Sequence, residues 1–123
     1  MKKTGLGVLG EQFASTYLEE QGYRIRERNF LSRFGEIDIV AEKESFLCFV
    51  EVKTRSPGAL AAPRESVTLQ KQQKLRKTAE YYIARHSYEI QRRGLQPRFD
   101  CAEVFVDREQ RLMSVNYIKN AFY

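Results

Sequence analysis

The sequence predicts one mixed α/β domain over residues 1–123, a single mixed β-sheet with flanking helices in the order α-β-β-β-α-β-β. Three observations carry this. Two stretches place apolar residues at helical spacing, one near the N-terminus and one after residue 68. Between them a hairpin pattern leads into the unbroken apolar run Phe46-Leu47-Cys48-Phe49-Val50, the mark of a central strand covered on both faces. The 123-residue chain has the size of one domain, with 42% hydrophobic residues to build a single core.

The first helix is expected from about Gly7 to Gln21, where Leu9, Phe13, Ala14, Tyr17 and Leu18 form the apolar stripe and Gly22 ends it. Tyr23 and Ile25 then alternate with Arg24 and Arg26, a short strand with a basic outer face. Gly35 to Ala41 reads as a second strand, Ile37, Ile39 and Ala41 on one face, Glu36, Asp38 and Val40 on the other. After the polar turn Glu42–Ser45, the run from Phe46 continues without a break into Glu51-Val52-Lys53-Thr54-Arg55. Ser56 to Pro63 is expected as a loop. The second long helix is expected over Leu69–His86, with Thr68 as N-cap and Leu75, Ala79, Tyr82 and Ile83 as its buried stripe. Lys71, Lys74, Arg76 and Lys77 crowd its first half. Ser87 to Pro97 reads as a connector, Arg98–Val106 as a strand, Asp107–Gln110 as a turn and Leu112–Tyr117 as a final strand.

Composition excludes several classes. No window approaches the roughly 18 apolar residues of a membrane span. The basic start gives way to Glu11 and Gln12 with no apolar core, unlike a signal peptide, so a cytoplasmic location is expected. Cys48 and Cys101 lie in apolar runs without metal-type spacing and are expected as buried, reduced thiols. With His86 the one histidine, neither a His/Cys zinc site nor a Ser-His-Asp triad is expected. The net charge of +5 is uneven: residues 1–50 balance at −1, residues 51–100 at +6 and the remainder at zero. A basic second half beside a carboxylate-bearing first half suits a polyanion such as nucleic acid, or is a solvated basic surface.

Asp38, Glu51 and Lys53 are where chemistry becomes legible. Residues two apart in a strand project to one face, about 7 Å apart, so Glu51 and Lys53 emerge together where the buried run ends. Asp38 sits on the neighbouring strand of the hairpin. Buried carboxylates brought together repel, and a divalent cation relieves that cost. Oxygen donors from Asp38, Glu51 and the carbonyl of Val52 suit Mg²⁺ or Mn²⁺. Lys53 would then orient or deprotonate a water beside the metal, the chemistry of phosphodiester hydrolysis. The alternative is a solvated Glu-x-Lys ion pair of little consequence.

Asp38, followed after twelve residues by Glu51-Val52-Lys53, resembles the PD-(D/E)xK motif of the restriction-endonuclease-like nucleases, with Ile37 in place of the motif's proline. The superfamily's core order α-β-β-β-α-β matches the elements above. More narrowly, Gly10-Glu11, Gly22-Tyr23, Arg28-Asn29-Phe30, Gly35-Glu36-Ile37-Asp38, Phe49–Arg55, Arg98-Phe99-Asp100 and Asn120-Ala121-Phe122 resemble the YraN family of small bacterial proteins, over about residues 5–123. In plan that family is similar to archaeal Holliday-junction resolvases. The resemblance implies a restriction-endonuclease-like core, Asp38 and Glu51 as metal ligands and Lys53 as catalytic lysine. Glu11 matches a helix carboxylate that ligates the metal or supports a ligand, or is simply a glutamate favoured by the helix dipole.

Around this centre, Glu36 and Gln70 are candidates for supporting the site. Arg55, Lys71 and Lys74 are candidates for holding backbone phosphates, Lys71 from a helix N-terminus suited to anions. The expectation is a Mg²⁺- or Mn²⁺-dependent endonuclease acting on DNA rather than RNA, with branched or structured DNA among its substrates. So small a subunit would need a homodimer for paired cleavage. The rival is a nucleic-acid-binding or adaptor protein that keeps the fold without turnover.

Overall fold

The apolar run at Phe46–Val50 is the spine of the molecule. The computed structural model describes residues 5–55, 68–107 and 112–121; the expected loop at 56–63 and most of the turn at 107–110 lie outside them. The elements are α1 (Gly5–Glu20), β1 (Arg24–Ser32), β2 (Gly35–Lys43), β3 (Phe46–Arg55), α2 (Leu69–Arg85), α3 (Ser87–Arg93), β4 (Gln96–Asp107) and β5 (Leu112–Ile118). The expected mixed α/β architecture and order hold, and the short α3 is inserted after α2.

The five strands lie in the order β1-β2-β3-β4-β5, with β3 at the centre as its composition requires. β1–β2, β2–β3 and β4–β5 are antiparallel and β3–β4 is parallel. The parallel pair needs a crossover, which α2 and α3 provide. Alternation along β3 feeds two cores. Leu47 and Phe49 meet Leu75, Ala79 and Tyr82 of α2 and Ile90 of α3. Cys48 and Val50 meet Ala14 and Leu18 of α1, with Ala102 and Val104 of β4. Both cysteines are buried free thiols, as expected, and burial pushes each up to about 12.

Local chemistry sets the ends of the elements. Gly22, at φ 91°, turns the chain out of α1, and the next amide, Tyr23 N, donates back to Leu18 O at 2.9 Å. Thr68 caps α2, its hydroxyl accepting Lys71 N at 3.1 Å. Gly10 lets α1 lie directly on β3: a Cβ there would overlap Thr54 Oγ1 and come within 3.2 Å of Thr54 Cβ.

The structure corrects three local expectations. β1 runs on to Ser32 instead of ending near Arg26: Glu27, Arg28 and Asn29 show no alternation because they are exposed on an edge strand. Ser87–Arg93 is helix, not connector. With Ile90 its one buried residue, it carries no apolar stripe, but Glu89 in its first turn, Arg92 and Arg93 in its last and a left-handed Gly94 cap suit a helix. Finally, Ile39 and Ala41 share the α1-side core, whereas Ile37 joins Val40 in the other. The β2–β3 register ends at Ile39–Val50, and Asn29, opposite Asp38, takes φ 54°, so regular alternation stops there.

Candidate active site

The end of the β2–β3 ladder makes the site. Beyond Ile39–Val50 the strands no longer pair, and the carboxylate of Asp38 takes over: its Oδ2 accepts Val52 N at 2.8 Å. This bond fixes Asp38 against β3 just where Glu51 emerges. Strand alternation then brings Lys53 back to the same face, with Nζ 3.4 Å from Glu51 Oε2. From above, Lys71 in the first turn of α2 reaches the same oxygen at 2.8 Å. The result is an open cleft of about 620 Å³ lined by Glu36, Asp38, Glu51, Val52, Lys53, Thr68, Gln70, Lys71 and Lys74.

Burial dominates the electrostatics. Glu51 is 7% exposed and Asp38 6%. Burial, and next the charge and hydrogen-bonding contact of Asp38, hold the Glu51 carboxyl above the usual carboxylate range, although Lys71 pulls the other way. Burial and the neighbouring Lys71 ammonium hold Lys53 below the usual amine range, against the attraction of Glu51. For Lys71 burial also works downward, yet its bonds to Glu51 and Lys53 outweigh it and leave the ammonium favoured. At Glu51 the cleft therefore sets a lysine whose ammonium is favoured, Lys71, beside one whose ammonium is disfavoured, Lys53.

This donor set fits a hard divalent cation. The charge of Asp38 adds to burial in holding the Glu51 carboxyl above its usual range, a repulsion that a metal between the two carboxylates would relieve. Their oxygens and the Val52 carbonyl suit Mg²⁺ or Mn²⁺, with waters completing the shell. Among the described residues no group of three or more His, Cys, Asp or Glu side chains is arranged to hold a metal, so main chain and water would have to contribute.

Eight of the ten residues singled out from sequence line this one cleft: Glu36, Asp38, Glu51, Val52, Lys53, Gln70, Lys71 and Lys74. Arg55 and Glu11 do not line it. Arg55 shares the strand face of Lys53 but is the last residue of β3, two positions farther along. Glu11 is buried on α1, whose neighbour Gly10 packs on Thr54, a residue facing away from Lys53 along the strand. Sequence reasoning missed Thr68 as a lining residue and the bond from Lys71 to Glu51. A signal for the latter existed: a lysine in a first helical turn opposes the helix dipole and calls for a nearby anion.

Two of the quoted motifs turn out to be structural. Asp100 is fully buried and accepts Arg98 Nε at 3.0 and 3.1 Å, Arg98 Nη2 at 2.9 Å, Tyr117 Oη at 2.6 Å and Asn120 N at 3.0 Å. Arg98 Nη2 also donates to Tyr23 Oη at 3.0 Å, and Ala121 N to Phe99 O at 2.8 Å. Arg98-Phe99-Asp100 and Asn120-Ala121 thus tie the end of β5 to β4 and to Tyr23.

Fold and cleft together define an α/β domain with paired carboxylates and a lysine where a strand pair opens. Comparison with known proteins is specific. Residues 10–104 match the model of the family described as uncharacterised protein family UPF0102, and the chain belongs to that family. It is 44% identical over 120 residues to a UPF0102 protein of Alkaliphilus metalliredigens, covering 95% of this chain and 96% of the relative. It is also 44% identical over 122 residues to one of Caldanaerobacter subterraneus subsp. tengcongensis, covering 98% and 96%. A third, from Moorella thermoacetica, is 40% identical over 122 residues, covering 99% and 98%.

Proposed function

We propose that the protein is a metal-dependent endonuclease that hydrolyses phosphodiester bonds in DNA, branched or structured DNA included. The observation that carries this reading is the meeting of Asp38, Glu51 and Lys53 in one open cleft whose rim is basic. Asp38, Glu51 and the Val52 carbonyl would hold Mg²⁺ or Mn²⁺. That cation, when bound, supplies charge neutralisation at the phosphate and a more acidic water. Lys53, beside Glu51 on the same strand face, would orient the attacking water and, in its amine form, take up its proton. The water oxygen bonds to phosphorus, one P–O ester bond breaks, and the leaving alkoxide takes a proton from solvent. Lys71, Lys74 and Gln70 hold the backbone on either side, a sequence-independent, salt-sensitive contact. A homodimer would place two such clefts on two strands.

A second reading has its own support. Lys53 and Lys71 both pair with Glu51, contacts that would satisfy this carboxylate in a nucleic-acid-binding or adaptor protein without turnover. The two readings separate in one experiment: wild type, Asp38→Asn and Lys53→Met are incubated with Mn²⁺ or Mg²⁺ and linear, single-stranded or four-way-junction DNA. Cleavage by wild type alone, with DNA binding retained in both variants, supports the nuclease. Salt-sensitive binding without product under either cation supports the adaptor.

A further inference from the structure

Lys53 and Lys71 contact the same oxygen of Glu51 but are held differently. Lys53 rises from the central strand and its side chain is 18% exposed; Lys71 leans in from the first turn of α2 and is 42% exposed, yet makes the shorter contact, 2.8 against 3.4 Å. Lys71 also occupies a place that the helix dipole disfavours for a cation, so it needs an anion in front of it. Glu51 meets that need by direct contact, with the charge of Asp38 adding to it, and a phosphate in the cleft at the N-terminus of α2, beside Thr68, Gln70 and Lys74, would meet it too. A lysine ammonium is a point charge on a flexible stem and can pass from one to the other.

We propose that Lys71 is an exchangeable counter-ion: it holds Glu51 until a divalent cation takes that carboxylate, and then moves to a backbone phosphate. The inference rests on the metal site proposed above. Its consequence is reciprocal: by releasing Lys71, metal favours nucleic acid, and by attracting Lys71, nucleic acid favours metal. The empty-handed protein is thereby kept neutral at Glu51, and the cleft is completed when both ligands arrive.

The test is a calorimetric titration of Mn²⁺ into the full chain as wild type, Lys71→Met and Lys77→Met. Each is measured with and without a cleavage-resistant phosphorothioate DNA duplex, the heat of Mn²⁺ binding to DNA alone being subtracted. Lys77→Met removes the same charge from α2 at a residue that does not line the cleft. Without DNA, Lys71→Met should bind Mn²⁺ about two- to fivefold tighter than wild type, the factor a partly exposed ion pair represents. DNA should tighten Mn²⁺ binding by a similar factor in wild type and Lys77→Met, and by none in Lys71→Met. Equal Mn²⁺ affinity in wild type and Lys71→Met overturns the proposal and leaves the metal site standing. An equal gain in Lys71→Met and Lys77→Met also overturns it, as a general effect of charge. No Mn²⁺ binding by any of the three overturns the metal site and the proposal together.

Discussion

Replacing Asp100 by alanine should cost more stability than any substitution in the cleft. The side chain is fully buried and accepts hydrogen bonds from Arg98, Tyr117 Oη and Asn120 N. Asp100→Ala removes every one of these acceptors at once. The guanidinium of Arg98, only 9% exposed at its side chain, keeps Tyr23 Oη as a hydrogen-bond partner among the described residues. Breaking one side of a buried pair costs about 3–5 kcal/mol, because the other charge stays buried. The total stability of a chain this size is about 6–18 kcal/mol. An unfolding entropy of about 2 cal/mol/K per residue gives roughly 0.26 kcal/mol/K for the molecule, so Tm should fall by about 12–19 °C. Urea unfolding followed by circular dichroism measures the loss directly. The double variant Arg98→Met, Asp100→Leu, which removes both charges, should lose less than Asp100→Ala alone. A loss below about 1 kcal/mol for Asp100→Ala, or a double variant less stable than the single one, would refute the argument. Mn²⁺ binding at the cleft, on the opposite face of the sheet, should be unchanged in the folded fraction.

Three further outcomes are expected. Glu51→Gln should abolish Mn²⁺ binding yet raise Tm at neutral pH. Because burial raises the folded carboxyl, the stability it contributes is present below the ordinary carboxylate range and is lost as pH rises through the raised value. A glutamine escapes that loss, for a gain of about 0.5–2 kcal/mol, and thermal melts against pH should show the two proteins converging in acid. Gly10→Ala should destabilise by about 1–3 kcal/mol through overlap with Thr54, despite the better helix propensity of alanine, and Thr54→Ala should restore most of it in urea unfolding. Glu89, held down at about 2 by Arg26 and then Arg93, stabilises the fold above the ordinary carboxylate range and loses that contribution as pH falls toward 2. Glu89→Gln should accordingly melt below wild type at pH 7, with the gap closing in acid.

The centre of the site was legible because it depends on local periodicity. Two residues apart on a strand means one face, so Glu51 and Lys53 had to meet, and the turn at Glu44–Ser45 had to bring Asp38 alongside. Thr68 was legible as a cap for the same local reason. What could not be read depended on how distant elements pack. The bond from Lys71 to Glu51 requires α2 to start above the end of the β2–β3 ladder, and no spacing rule fixes that position. Arg26 is a similar case. The register slips between Ile25 and Glu27, leaving Arg26 as the extra residue, and its guanidinium reaches Tyr82 Oη, Glu42 and Glu89. As part of a simple alternation it read as an outer basic residue. Glu42, read as a turn residue, proves buried under Arg24, Arg26 and Arg93.

The two faces of the sheet carry different burdens, and β3 connects them. On the α1 side, Gly10 seats the helix on Thr54, and Arg98 and Asp100 lock β4, β5 and Tyr23 through groups that satisfy one another. On the α2 side, β3 emerges from the core with Glu51 and Lys53 just as its partner strand departs, and the charges there meet an open cleft instead of a complete internal network. Glu51 and Lys53 are both pushed toward their neutral forms, a cost that the packing of β3 in both cores offsets. Asp100 belongs to a buried network whose members satisfy one another, whereas burial holds the Glu51 carboxyl above its usual range, which is why loss of Asp100 should lower Tm while loss of Glu51 should raise it and silence the cleft.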